Sequence, residues 1–332
     1  MSAKKYDVYG LGNALVDILA TVEDSALEKL SLAKGSMALM EPTQQSEVLQ
    51  FLEGQSLKLA SGGSAANTLV AVAQSGGAGV YAGKVAHDTH GEFYKKDMEE
   101  AGIDFPVPPT PEAGLPTGTS VILTTPDAER TMCTHLGISA QIGKGDVDAD
   151  LLGQSKISYV EGYLWAGEES RAACIEAFEQ SNRLDVKTAF TLSDMFLVDL
   201  FADDFRSILK DHCDIAFCNA DEAKHFFKNE DIEACAKELG AMCPLAFVTN
   251  GGDGCYVMEE GSIKHVDGFE VKAVDTVGAG DSFAGGVLFG LTHGMDPVPA
   301  ARWGNYFASR VVSRFGARLE ESMADKVGEI VS

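Results

Sequence analysis

The chain is poor in positive charge: 26 Lys and Arg stand against 50 Asp and Glu, a formal net charge of −24 over 332 residues. A field of that sign repels phosphodiester backbones and anionic lipid headgroups, so neither nucleic acid nor a membrane surface is expected as a partner. The seven cysteines are odd in number and form no CxxC pair. That argues against a zinc site or a disulfide framework and suits reduced thiols. No apolar run reaches membrane-spanning length, and the opening MSAKKYDVYGLG holds no long apolar stretch. A cytoplasmic protein is the expectation. Internal repeats and low-complexity tails are also lacking.

What is present is ample apolar content, 45% of residues, enough for one large core with a small appendage. Short apolar runs alternate with longer helical patterns. Strands are expected at 6–11, 80–85, 120–124, 157–160, 187–192, 214–218, 245–249 and 255–258. Helices are expected at 45–52, 64–74, 92–101, 170–181, 221–227, 232–242, 280–293 and 299–314. From about residue 155 the order β, α, β, α, β, α, β predicts an α/β fold with a mostly parallel sheet covered by helices. Two segments, 13–42 and 103–137, break this pattern with short β-like pieces and the turn-rich PVPPTPEAGLPTG. They are expected to form a small sheet inserted in one 332-residue unit.

The loop DTVGAGDSFAGG (275–286) precedes an apolar helical pattern. It has no lysine, so it is not a P-loop, and Gly278-Ala-Gly280 runs into Asp-Ser-Phe, so it is not a dinucleotide fingerprint. A helix start whose small residues Gly278, Ala279 and Gly280 leave backbone N–H groups uncovered remains, and that is an anion hole. Asp281 in the first turn is either a helix cap or a base toward a hydroxyl. Phosphoryl transfer to an alcohol needs a carboxylate, donors for the developing charge, and a metal ion.

This loop resembles the C-terminal signature of the PfkB/ribokinase family of carbohydrate and nucleoside kinases. SGGSAANT (61–68) resembles its N-terminal glycine motif. The resemblance implies a ribokinase-like three-layer α/β/α fold with a mostly parallel central sheet and a small β lid. It also implies ATP with Mg²⁺, a monovalent cation such as K⁺, and either a monomer or a lid-mediated homodimer. By resemblance Asp281 is the base, Gly278–Gly280 hold the phosphoryl group, and Arg130 reaches the transferring phosphate.

Further residues carry two readings. Asn219 and Glu222 have capping-box spacing; they also match a motif that acts on Mg²⁺ through water. Thr249 and Gly251 sit in a hairpin-like turn that resembles the nucleotide loop. Asn305 and Ala308 match positions near the adenine of ATP. Asn13, Asp17, Gly62, Gly63, Ser64 and Asn67 match positions around the sugar hydroxyls, although Ser64 can equally cap a helix. Asp275, the Val277 carbonyl and Gly316 resemble the monovalent-cation site.

GNALVDI, KGSMALME and PTGTSVIL resemble the adenosine kinase branch. Leu164 would then take the ring-stacking position over the base, with Leu39, Leu136 and Phe196 keeping the pocket apolar. Adenosine, phosphorylated at its 5′-hydroxyl to AMP, is the first choice of acceptor. Inosine or guanosine, and free sugars such as fructose or ribose, are the alternatives. A catalytically silent nucleoside-binding protein is the non-enzyme alternative.

Overall fold

Every residue of the first strand, β1 (Tyr6–Leu11), is buried. A strand without a solvent face must lie inside a sheet covered on both sides. The computed structural model, which describes residues 4–111, 114–127 and 129–331, places it there. The next strands are β2 (Leu15–Thr21), β3 (Met37–Leu39), β4 (Lys58–Gly62), β5 (Gly79–Ala82), β6 (Ile103–Asp104), β7 (Gly118–Thr124) and β8 (Arg130–His135). After them come β9 (Ser155–Glu161), β10 (Lys187–Thr191), β11 (Ile215–Asn219), β12 (Leu245–Thr249), β13 (Cys255–Glu259) and β14 (Ser262–Val266). The helices begin with α1 (Asp24–Lys29), α2 (Pro42–Phe51), α3 (Ser64–Gln74), α4 (Thr89–Glu100), α5 (Ala149–Gly153) and α6 (Glu168–Arg183). They continue with α7 (Met195–Asp211), α8 (Ala220–Phe227), α9 (Ile232–Gly240), α10 (Ala279–Thr292), α11 (Pro297–Val312) and α12 (Val327–Val331).

Nine strands form the large sheet in the order β14-β13-β12-β11-β10-β9-β1-β5-β6. All neighbours from β12 to β6 are parallel, and β13 and β14 close the other edge antiparallel. One face packs Tyr9, Leu11, Val160 and Phe190 against α6, α7, α8 and α9. The other packs Val8, Tyr159, Phe217 and Phe247 against α3, α4, α10 and α11. The fold is the expected three-layer α/β/α arrangement. Among the described residues no helix is long and apolar enough to cross a membrane.

A second sheet has the order β3-β8-β7-β2-β4. Strand alternation divides its side chains. Ile18, Ala20, Val121, Leu123 and Cys133 pack outward against Leu27 of α1 and Val48 of α2. The alternate residues face the large domain. This sheet uses more chain than segments 13–42 and 103–137: β4 and its neighbour α2 lie outside them, and β6 joins the large sheet instead. β4 is five residues long and half exposed, too short to show a pattern of its own. Helix α7 was not expected either. Phe201 has φ −129° and ψ 23°, a kink that shifts the apolar register halfway along the helix.

Candidate active site

In parallel α/β sheets the carboxyl ends of the strands carry the chemistry. Here Asn13 follows β1, and Glu161, Thr191, Asn219 and Thr249 end β9, β10, β11 and β12. All five line a single cavity of about 330 Å³. The small sheet closes the opposite wall with period-two pairs: Leu15 and Asp17, Met37 and Leu39, Ser120 and Ile122, Met132 and Thr134. Leu136 and Phe196 add to the apolar lining.

Helix α10 enters this cavity N-terminus first. Gly278 caps it at φ +74°, and a Cβ there would lie 2.6 Å from the Ala317 carbonyl oxygen. Only glycine fits such a left-handed, crowded position. The turn brings Val277, Gly278, Ala279 and Gly280 to the cavity wall and points Asp281 into it. The N–H of Ala279 donates within the turn to the Thr276 carbonyl at 3.2 Å.

Asp281 is held from two sides by α3. Ser64 Oγ donates to one carboxylate oxygen at 2.6 Å and Asn67 Nδ2 to the other at 3.0 Å. Burial pushes its pKa up to about 6, against the two hydrogen bonds and the nearby Arg318 charge. Asp17 rises to about 7, also through burial, with Arg318 and Arg130 opposing. Gly63 precedes α3 at φ +100°, where a Cβ would meet the Asn13 carbonyl oxygen at 2.1 Å. Gly62 does not line the cavity; it backs Asp17, whose carboxylate lies 2.4 Å from where a Cβ would stand.

Asn219 and Glu222 form the capping box of α8. Asn219 Oδ1 accepts from the Glu222 N–H at 2.8 Å, and Glu222 accepts from the Asn219 N–H at 3.1 Å and from Nδ2 at 2.7 Å. Both also line the cavity. Burial raises Glu222 to about 7.

Several expected residues stand elsewhere. Leu164 is fully buried in the core beside Trp165 and Phe190, so it does not stack on a ligand; its neighbour Tyr163 lines the cavity instead, 6.4 Å from the Phe196 ring. The short 3₁₀ turn at 162–166 sets that choice, turning one residue of the segment inward and the next outward. Arg130 is buried against Asp275 rather than directed at the cavity. Asp275 also accepts from the Val277 N–H at 3.1 Å and the Gly316 N–H at 2.7 Å. Asp275, Val277 and Gly316 thus meet, but with the Val277 and Gly316 N–H groups donating to the Asp275 carboxylate beside Arg130, not as an open oxygen cage for a cation. Gly251 lies exposed in the turn after β12. Asn305 donates to the Val266 and Asp267 carbonyls at 3.0 and 3.1 Å, tying α11 to β14, and Ala308 packs half-buried on the core.

Two charged residues near Asp281 escaped the sequence reading. Glu161 accepts from the Asn13 N–H and the Ala65 N–H, both at 2.8 Å, and from Asn13 Nδ2 at 3.0 Å. Its burial raises its pKa to about 7. An acidic residue closing an otherwise buried strand was the available signal. Arg318 contacts Asn67 and Ser61, and nothing in its local sequence announces that.

The model of the pfkB family carbohydrate kinases matches residues 33–323. The chain belongs to this family. It is 38% identical to the adenosine kinase of Sinorhizobium meliloti, whose structure superposes with a TM-score of 0.91 over 98% of this chain and 99% of that one. A probable sugar kinase from Rhizobium etli shares 32% identity, with a TM-score of 0.92 over 98% of both chains. Adenosine kinase 1 of Arabidopsis thaliana is 27% identical over 97% of this chain and 98% of its own length.

As a pfkB family member the protein is an ATP-dependent kinase of a nucleoside or sugar, working with ATP and Mg²⁺. The residues present suit an ion carried on the nucleotide. Among the described residues no cluster of three or more His, Cys, Asp or Glu could cage a metal. Mg²⁺ commonly relies on substrate phosphates plus one or two protein carboxylates. Glu222, at the cavity wall with Asn219 beside it, fits that lesser share.

Proposed function

We propose that the chain phosphorylates a nucleoside hydroxyl, with adenosine as the first acceptor and AMP as the product. The observation that carries this is the division of the cavity. Its floor is polar, with Asn13, Asn67 and Asp281, and Asp17 of β2 adds a carboxylate from the opposite wall, where the small sheet and the residue after β8 otherwise gather the apolar Met37, Leu39, Ile122, Met132 and Leu136 beside Ser120 and Thr134. A ribose suits the first half and a purine the second. A free sugar would leave the apolar half unfilled.

In this reading Asp281 takes the proton of the acceptor hydroxyl. Ser64 and Asn67 keep its carboxylate aimed at that hydroxyl. With the Ala279 N–H bonded to the Thr276 carbonyl, the Gly278 and Gly280 N–H groups of the turn supply donors for the charge developing on the phosphoryl group. Mg²⁺ bound with the nucleotide would supply charge neutralisation at the phosphates. The small sheet acts as a lid that excludes water, which would otherwise compete with the acceptor. Asn219 and Glu222 would hold that ion through its water shell.

The test is an acceptor panel with Mg-ATP, with and without K⁺: adenosine, inosine, guanosine, ribose and fructose. Adenosine should give the highest kcat/KM. A free sugar preferred over every nucleoside overturns the acceptor assignment. Nucleoside binding without ADP formation overturns the kinase mechanism.

A further inference from the structure

Asn67 donates to Asp281 through Nδ2. An amide has a donor end and an acceptor end of nearly the same shape, so something must decide which end meets the carboxylate. Arg318 decides it. Its Nε donates to Asn67 Oδ1 at 2.8 Å. A guanidinium has donors only, so the oxygen of Asn67 must face Arg318 and the NH₂ must face Asp281. The reversed amide would set its oxygen against the carboxylate and its NH₂ against a cation, two repulsive contacts at once.

Arg318 is itself tightly held. Its Nη1 donates to Ser61 Oγ at 2.6 Å and stands 3.7 Å from the Asp97 carboxylate, and its side chain is only 14% exposed. Ser61 in turn donates to Asp97 from its N–H at 2.9 Å and its Oγ at 2.6 Å. The guanidinium therefore joins α4, the segment between α11 and α12, the end of lid strand β4 and α3. Reorienting Asn67 would mean breaking all of these.

We propose that Arg318 is a positioning residue for phosphoryl transfer, acting through Asn67 to hold the Asp281 carboxylate in its reactive orientation. It does not itself line the cavity, and although its charge also acts on Asp281 directly, its hydrogen-bonded path to that carboxylate runs through the Asn67 amide. The inference rests on the reading of Asp281 as the base. The RFGARL segment (314–319) then acts at two places. Gly316 meets Asp275 on one side of the phosphoryl-binding turn, and Arg318 reaches the base from the other.

Four variants test this with Mg-ATP and the preferred acceptor: Arg318→Met, Arg318→Lys, Asn67→Ala and the double variant Arg318→Met/Asn67→Ala. Arg318→Met should lower kcat by about 10- to 100-fold, the scale of a misplaced catalytic group, and leave the KM for ATP near its parent value. The double variant should be about as slow as the slower single variant, because both act along one chain of contacts. Arg318→Lys, which keeps a donor and the charge, should recover part of the loss.

A kcat for Arg318→Met within about threefold of the parent overturns the proposal, since misplacing a catalytic group costs more than that. So does a double variant whose loss is the product of the two single losses. A merely structural arginine would lower the melting temperature without that coupling. If Arg318→Met does not fold, the same cycle is read with Arg318→Lys. Asp281→Asn separates the two readings. Normal turnover there defeats the base assignment itself, while a dead Asp281→Asn beside a normal Arg318→Met defeats only this inference.

Discussion

Four carboxylates converge on the cavity, and burial raises each of them: Asp17, Glu161 and Glu222 to about 7 and Asp281 to about 6. A base must be ionised to accept a proton. Below about pH 6 Asp281 is protonated in the free enzyme, so kcat/KM should fall on the acid side with an apparent pKa near that value. A pH–rate profile flat down to about pH 5 would remove Asp281 from the role. Asp281→Asn keeps the shape but cannot take the proton, and should lower kcat by about 10²- to 10⁴-fold with little change in acceptor KM. Asp281, Asn67, Asn13 and Asp17 were legible because each sits in a short motif. Arg318 was not. Its meaning depends on Asn67, 251 residues away in the chain, and spacing says nothing about that contact. Leu164 was misplaced for the related reason that adjacent residues in a 3₁₀ turn point in different directions.

The elements gather at the site through their ends. The N-terminus of α3 is held by Glu161 through the Ala65 N–H, and the same carboxylate holds Asn13. One side chain thus positions both the strand end and the helix start that form the floor. In Glu161→Gln the NH₂ of the new side chain would face an N–H, leaving one buried donor unpaired at a cost of about 1–3 kcal/mol. The expected result is a lower melting temperature and an acceptor KM raised more than kcat is lowered; steady-state kinetics with thermal unfolding reads both. Most elements were legible: β1, β12 and α3 occur at the expected bounds, since they combine a clear apolar pattern with turn residues at their ends. α7 was hidden by its kink at Phe201, and β4 by its length.

At the scale of the whole molecule, the −24 charge and the buried carboxylates act in one direction. Each raised pKa means that the folded state holds more protons than the unfolded chain between about pH 4 and 7. Stability gained from this source is present at the acid end of that window and is lost as pH rises through the folded values. The lowered groups, among them Asp127 at about 2, act below about pH 4 and outside it. The melting temperature should therefore rise as pH falls from about 8 to about 5.5, by calorimetry without nucleotide, and acidification should reduce charge repulsion as well. A melting temperature that falls steadily over that range would contradict the burial of these groups.

The amino-acid sequence by itself determined the layered α/β architecture, because apolar periodicity and turn residues act over a few neighbours. It also determined the small-residue turn at Gly278–Gly280 and the aspartate after it, because these stand together within a dozen consecutive residues. Only the tertiary structure decided what surrounds the aspartate. The small sheet reaches the cavity through alternate residues of four strands, Glu161 joins two elements, and Arg318 meets the amide that holds Asp281. Such contacts follow from packing, which no local pattern encodes.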